Sequence, residues 1–323
     1  MRAVLSLLSV VRFSLCFDCT ACASVCPFLP ASEPPVIVDL RSRSAFERLH
    51  LAGSASVPVQ ELETRMFELP PPREWPMEVV GSAEDLVAAR RLLHSRGWKY
   101  AEHDADDPGF WVNQPTASGP SNVVSWRPNA FLAAIVRELD LSAMPSGTYV
   151  DVGCGSGRDA VYLAQALQRA GVEGSHPVLA IDNHGAALQR TRALAEACGV
   201  DVQCLEIDLR KPPGLEGALR QSHRPIALLH GCRFLHRPLF DASLELLAPG
   251  GLVVYSHFMD PLEGPPLAPP FKPSRRLQRG EMRRFFGASG FDVLRDEAGV
   301  LLTRGEMCDA QFFVARRRTI AKE

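Results

Sequence analysis

An aspartate followed by glycines at alternate positions, Asp151-Val152-Gly153-Cys154-Gly155-Ser156-Gly157, constrains this chain more than any other feature. It closes an apolar run over 148–152 and opens a helical pattern over 158–170. Glycines so spaced let a backbone turn sharply and come close to a ligand. The alternation continues downstream. Apolar runs predict strands over 178–182, 202–207, 225–229 and 251–257, with helices over 129–139, 185–198 and 239–247. Two further strands are expected over 291–294 and 310–316. Strands alternating with helices build a mainly parallel sheet covered on both faces. Ligands of such sheets bind beyond the carboxyl ends of the strands. Those ends carry Asp151, Asp182 and Asp208. A carboxylate at Asp182 can accept both hydroxyls of a ribose, each such bond being worth roughly 1.5–3 kcal/mol. A dinucleotide site would prefer G-x-G-x-x-G, but Arg158 stands where its third glycine would fall.

The glycine turn resembles motif I of the class I S-adenosylmethionine-dependent methyltransferases. The turn Pro249-Gly250-Gly251 before the fifth strand and the closing strand pair extend the resemblance over 126–317. It implies an α/β, Rossmann-like seven-stranded sheet, mostly parallel with an antiparallel last strand. It also implies S-adenosyl-L-methionine as cofactor. Asp151 would hold the α-ammonium, directly or through water, Asp182 the ribose and Asp208 the adenine amino group, with Gly153, Gly155 and Gly157 shaping the turn. Within the class, Cys232 to Leu239 together with Arg275, Arg276, Leu277, Gly280 and Glu281 is similar, more loosely, to small-molecule methyltransferases akin to the tellurite-resistance group. That implies a small, soft or anionic acceptor. Arg233, His236, Arg237 and His257 are the candidates for acceptor binding or base work; as caps or surface ion-pair partners they would do neither. The stretch 261–273 is read as a lid over the acceptor or as a plain surface loop.

Residues 34–108 form a separate pattern. A strand over 36–40 ends in Asp39-Leu40-Arg41, His50-Leu51-Ala52-Gly53-Ser54 follows, and a second strand leads into a helix over 83–95. This resembles a rhodanese-like α/β domain. A sulfurtransferase needs a reactive cysteine in the loop after that second strand. Here the loop reads Gly81-Ser82-Ala83-Glu84-Asp85, so the module is expected to be catalytically inactive, with a regulatory, protein-interaction or purely structural role. Residues 109–125, rich in proline and glycine, are read as a linker, and 318–323 as a tail.

Residues 1–33 are expected to be a leader or disordered presequence. They contain Cys16, Cys19, Cys22 and Cys26 before Pro27, the spacing of a bacterial-type ferredoxin half. A cluster site and a cysteine-rich presequence are both open; no second such run and no paired hairpins accompany it. No other metal site is expected. The net charge of -2 argues against a nucleic-acid partner held through phosphates. No apolar run reaches the roughly 18 residues of a membrane span. The cytoplasm is the expected compartment, with an organelle second. Two rival functions stand: an NAD-binding oxidoreductase and a non-enzymatic scaffold of two degenerate domains.

Overall fold

The computed structural model describes residues 28, 33–212, 214–219, 224–260, 272–303 and 306–319. The cysteine quartet of the leader and most of the 261–273 stretch lie outside them. The strands are β1 Val36–Asp39, β2 His50–Leu51, β3 Ala55–Ser56, β4 Met77–Gly81, β5 Ala101–Asp104, β6 Thr116–Ala117, β7 Thr148–Val152, β8 Val178–Asp182, β9 Gln203–Glu206, β10 Ile226–Cys232, β11 Leu247–Phe258, β12 Phe291–Thr303 and β13 Glu306–Arg317. The helices are α1 Arg43–Arg48, α2 Leu62–Arg65, α3 Ala83–Ser95, α4 Ala130–Glu138, α5 Arg158–Ala170, α6 Gly185–Ala197, α7 Gly214–Leu219, α8 Pro238–Leu246 and α9 Glu281–Ala288.

The larger sheet has seven strands in the order β12-β13-β11-β10-β7-β8-β9. Strands β7 to β11 run parallel, and β13 lies antiparallel between β11 and β12. The mixed sheet thus has the one reversed strand that the sequence reading anticipated. Buried residues of α4, α5 and α6 pack on one face with Phe131, Leu163, Leu167 and Phe312. Those of α7, α8 and α9 pack on the other with Leu239, Phe240, Met282 and Phe286. Order reverses at β7, whose neighbours are β8 and β10, so the crevice forms at the carboxyl ends of these three.

Two details depart from expectation. The Pro249-Gly250-Gly251 turn lies inside β11: Ile226 pairs with Leu247 and Leu228 with Leu252, so the extra residues bulge out. The closing hairpin is far longer than the apolar runs suggested. Its outer strand β12 carries Arg295, Asp296 and Glu297, which face Val314, Phe313 and Phe312 across the ladder. Arg295 also pairs with Glu138 at 2.6 Å, and Asp296 with Arg283 at 2.6 Å.

The smaller sheet is four-stranded and parallel, in the order β3-β1-β4-β5. Its interior is Val36, Val38, Leu40, Val79, Leu86 and Leu93. The Asp39 carboxylate is fully buried and holds Arg41 through Nε at 3.0 Å and Nη2 at 2.6 Å. At the end of β4, Ser82 and Asp85 form a reciprocal capping box at 3.1 and 3.2 Å. The strand therefore passes into α3 through a single residue, leaving no room for a ligand loop. Residues 109–119 are tied back to this unit: β6 pairs with β2, Ala52 N–H donates to Pro115, and Arg41 lies over Trp111. Phe28, within the expected leader, packs its ring on Phe131 and Phe312 at centroid distances of 4.8 and 4.5 Å.

The segment from Glu68 to Trp75 joins the two units. Trp75 is buried with Ala130 and Ala133 of α4, and its Nε1 donates to the Pro128 carbonyl at 2.8 Å. Arg158 donates to the Leu69 carbonyl at 2.6 Å, and Ser125 to that of Glu68 at 2.8 Å. Truncating a buried aromatic costs roughly 3–5 kcal/mol. The Trp75→Ala chain is therefore expected to lose about that much unfolding free energy in urea. A loss below about 1 kcal/mol, the size of an ordinary surface substitution, would show that Trp75 anchors nothing.

Candidate functional site

The glycine turn is built by contact rather than by flexibility alone. Its Gly153 and Cys154 N–H groups donate to the Ile181 carbonyl of β8 at 2.8 and 3.0 Å. Gly155 N–H donates to the Asp182 Oδ2 at 2.9 Å. Gly157, at φ +77°, lies so close to Thr191 of α6 that any Cβ would overlap that side chain. At Gly153, φ +68°, a Cβ would come within 2.6 Å of the Phe234 ring. The turn is thus clamped between β8, α6 and the segment after β10.

In front of it lies a cavity of about 160 Å³, walled by Gly153, Asp182, Ile207, Asp208, Arg233 and Phe234. Each Asp182 oxygen takes one backbone N–H, Gly155 on Oδ2 and His184 on Oδ1 at 3.0 Å. A carboxylate has about four lone-pair sites, so acceptor capacity remains toward the cavity. Ile207 N–H donates to the Asp182 carbonyl at 3.0 Å, which sets Asp208 beside Asp182. Asp208 Oδ1 accepts the Arg210 N–H at 3.1 Å. Apolar walls between two carboxylates suit a nucleoside: a diol at one end, an amino group at the other. The volume falls below the roughly 300–1,000 Å³ of small-molecule sites. Phe234, resting on Gly153 with Arg210 stacked over it at 5.4 Å, is what narrows it.

Asp151 does not line this cavity. It is 3% exposed, behind the turn, and its Oδ2 has no hydrogen-bond partner among the described residues. Burial pushes its pKa up to about 7, while the charge of His230 pulls it back. His230 is fully buried, with Nδ1 3.2 Å from the Val254 carbonyl and Nε2 3.1 Å from Asp159. Burial opposes the imidazolium, but Asp159 and Asp151 outweigh it and raise the His230 pKa.

A second cavity, of about 400 Å³, opens beside the first beyond the ends of β9 and β10; Arg210 lines both. Its other walls include Leu235, His236, Arg237, Ser274 and Arg275. The Arg237 guanidinium is anchored on Glu281 at 2.5 and 2.9 Å and on the Arg276 carbonyl at 2.9 Å. Burial and the neighbouring Arg210 lower the His236 pKa, so its imidazole is neutral at pH 7. The four acceptor-side candidates therefore separate. His236 and Arg237 line the larger cavity, and Arg233 lines the smaller. His257 lines neither; it is 4% exposed and donates from Nε2 to the Arg275 carbonyl at 3.0 Å. Burial drives its pKa down to about 4, so it serves as a neutral strut. Sequence reasoning passed over Arg210, two residues beyond Asp208 and aimed into both cavities, and Glu74, considered below.

The raised Asp151 pKa has a sign for stability. Its ordinary value is near 3.9. The native state therefore holds this proton more tightly, a contribution fully present below about pH 4 and lost as pH rises to about 7. Unfolding free energy is expected to fall between about pH 4 and about pH 7, and to fall less in Asp151→Asn. Parallel curves for the two proteins would show that the carboxyl is already ionised in the fold.

Residues 150–251 match the family model of a methyltransferase domain. The chain is 26% identical over 177 residues to the Schizosaccharomyces pombe protein called uncharacterized protein UNK4.09, covering 51% of each chain. It is 26% identical over 202 residues to the ribosomal RNA small subunit methyltransferase F of Shewanella amazonensis, covering 52% of this chain and 41% of that one. It thus spans about half the length of the curated relatives it matches. Among solved structures, TehB from Haemophilus influenzae aligns at a TM-score of 0.44 and 14% identity, over 58% of this chain and 61% of that one.

Proposed function

We propose that the class I S-adenosylmethionine-dependent methyltransferase domain matched over residues 150–251 transfers a methyl group to a small anionic acceptor. S-adenosylmethionine is the cofactor of that domain, and it supplies an electrophilic sulfonium methyl. The observation that carries the reading is a pair of neighbouring cavities that share Arg210 in their walls. One offers Asp182 and Asp208 to a nucleoside, and the other offers Arg210, Arg237, Arg275 and a neutral His236 to an anion. Asp182 would take the ribose hydroxyls and Asp208 the adenine amino group. Gly153 and Gly155 would carry the backbone past the methionyl arm, with the Asp151 carboxylate behind the turn.

In-line displacement asks the protein for alignment and exclusion of water rather than for a strong base. An acceptor that is already anionic has its nucleophilic lone pair free, so no proton need be removed. Arg210 and Arg275 would neutralise it, and Arg237, braced by Glu281, would fix its direction. The Phe234 ring must leave Gly153 for the full cofactor to enter. The N-terminal unit would take no part in sulfur chemistry. Its parallel four-stranded sheet and the Asp39–Arg41 pair support kinship with rhodanese-like modules, yet residues 33–153 contain no cysteine. No described helix is long and apolar enough to cross a membrane.

Calorimetric titration of the full chain with S-adenosylmethionine tests the first half of this reading. Micromolar binding is expected, with a loss of about a hundredfold or more in Asp182→Ala, where several charge-assisted hydrogen bonds disappear. Absence of binding to folded wild-type protein, or binding of NAD in its place, would overturn it. The acceptor class is tested by incubating enzyme and methyl donor with matched small carboxylates, phosphates, alcohols and amines, and following release of S-adenosylhomocysteine. Turnover of anions, reduced in Arg210→Gln and Arg275→Gln, is expected. Methylation of amines alone would refute an anionic acceptor.

A further inference from the structure

The N-terminal unit reaches the wall of the cofactor cavity through one carboxylate. Glu74 stands in the turn before β4, beside Arg73, whose φ of +61° is unusual for a residue with a side chain. It is 7% exposed. Its Oε2 accepts from Asn129 Nδ2 at 3.0 Å and from the Ala130 N–H at 3.1 Å, at the amino end of α4. Its Oε1 lies 3.9 Å from Arg233 Nη2. Arg233 is itself backbone-strained, at φ +57°, and is held by its N–H on the Ser256 carbonyl at 2.9 Å. The next residue is Phe234, the ring that lies on Gly153. Arg158, which follows the glycine turn, is drawn to the same segment through the Leu69 carbonyl.

Resting on the cofactor reading above, we propose that Glu74 is a positioning residue for the methyltransferase site: it holds Arg233 in its left-handed conformation and so sets the Arg233–Phe234 wall of the cofactor cavity. The physical case is the burial of Glu74. A carboxylate taken out of water must find a counter-charge or hydrogen-bond donors, and the Arg233 side chain, 35% exposed, is the cation that reaches it. Glu74 is the carboxylate the structure pairs with Arg233 among the described residues, and it comes from the other unit. A left-handed backbone at a non-glycine residue persists only where its surroundings over-determine it. Remove the charge, and Arg233, which already lines the cavity, is free to relax toward the extended region and carry its cation further into it. That cavity is where the positively charged cofactor would bind. The N-terminal unit would then be neither a sulfurtransferase nor a passive appendage, but the back support of one wall of the active site.

The test is a thermodynamic cycle in the full chain, with S-adenosylmethionine as titrant. Glu74→Gln keeps the shape and an acceptor for Asn129 but removes the charge. It is expected to weaken cofactor binding about tenfold, an equilibrium change of about 1.4 kcal/mol. Because Glu74 acts through Arg233, Arg233→Gln and the double variant Glu74→Gln/Arg233→Gln should bind the cofactor equally. A purely structural role for Glu74, as a cap of α4, would lower the melting temperature of Glu74→Gln and leave its affinity unchanged; that result overturns the proposal. If Glu74→Gln does not fold, the comparison of Arg233→Gln with the charge-balanced double variant still decides. A further tenfold loss in the double variant would show Glu74 acting by another route and would equally overturn the proposal. Wild-type protein that binds no cofactor at all defeats the methyltransferase reading instead, an outcome separate from either of these.

Discussion

The bond from Gly155 N–H to the Asp182 carboxylate is the constraint on which the site depends. It ties the turn after β7 to the end of β8, across the point where the order of the sheet reverses. Charge-assisted bonds of this kind are about twice as strong as neutral ones. With Ile181 accepting two more N–H groups from the same turn, the loop has no freedom to collapse into the crevice. Asp182 is therefore both a strut and a ligand candidate. That dual use explains why its substitution should act on geometry and on affinity at once.

Behind the turn lies a chain of buried and half-buried polar groups: Asp151 beside His230, then Asp159, Asn129 and Glu74. Asp159 takes the Asn129 N–H at 2.6 Å, and Asn129 reaches Glu74. Groups of this sort are costly when unpaired and strongly specifying when paired. The arrangement runs from the core of the larger sheet to the unit that precedes it in sequence. The docking of the two units is thus recorded in the electrostatics of the glycine turn, and not only in the burial of Trp75.

What the sequence disclosed follows from what each element buries. Strands β7, β8, β10 and β11 are sunk in the sheet and read as apolar runs, so their ends, and the acids on them, were legible. Strand β5 is Ala101-Glu102-His103-Asp104 at an edge, and nothing in its composition marks a strand. Arg295-Asp296-Glu297 interrupt the apolar run of β12 in its middle, so the hairpin looked short. Asp151 was recognisable as the acid of the motif. Whether it would face the crevice or lie behind the turn depends on side-chain direction, which the sequence does not carry. Glu74 and Phe234 matter only because two units dock and one ring folds over a glycine. No local pattern announces either event.

The long strand β12 is the outermost of its sheet, and a bare edge invites a neighbour's backbone to pair with it. Here the middle of that edge is occupied by Arg295, Asp296 and Glu297, with Arg295 and Asp296 leashed to Glu138 and Arg283. A strand approaching from another copy would have to strip water from those charges and break their ion pairs. The rim of the sheet is in this way guarded against intermolecular stacking. The thirteen-residue edge strand thereby carries its own obstacle to backbone pairing.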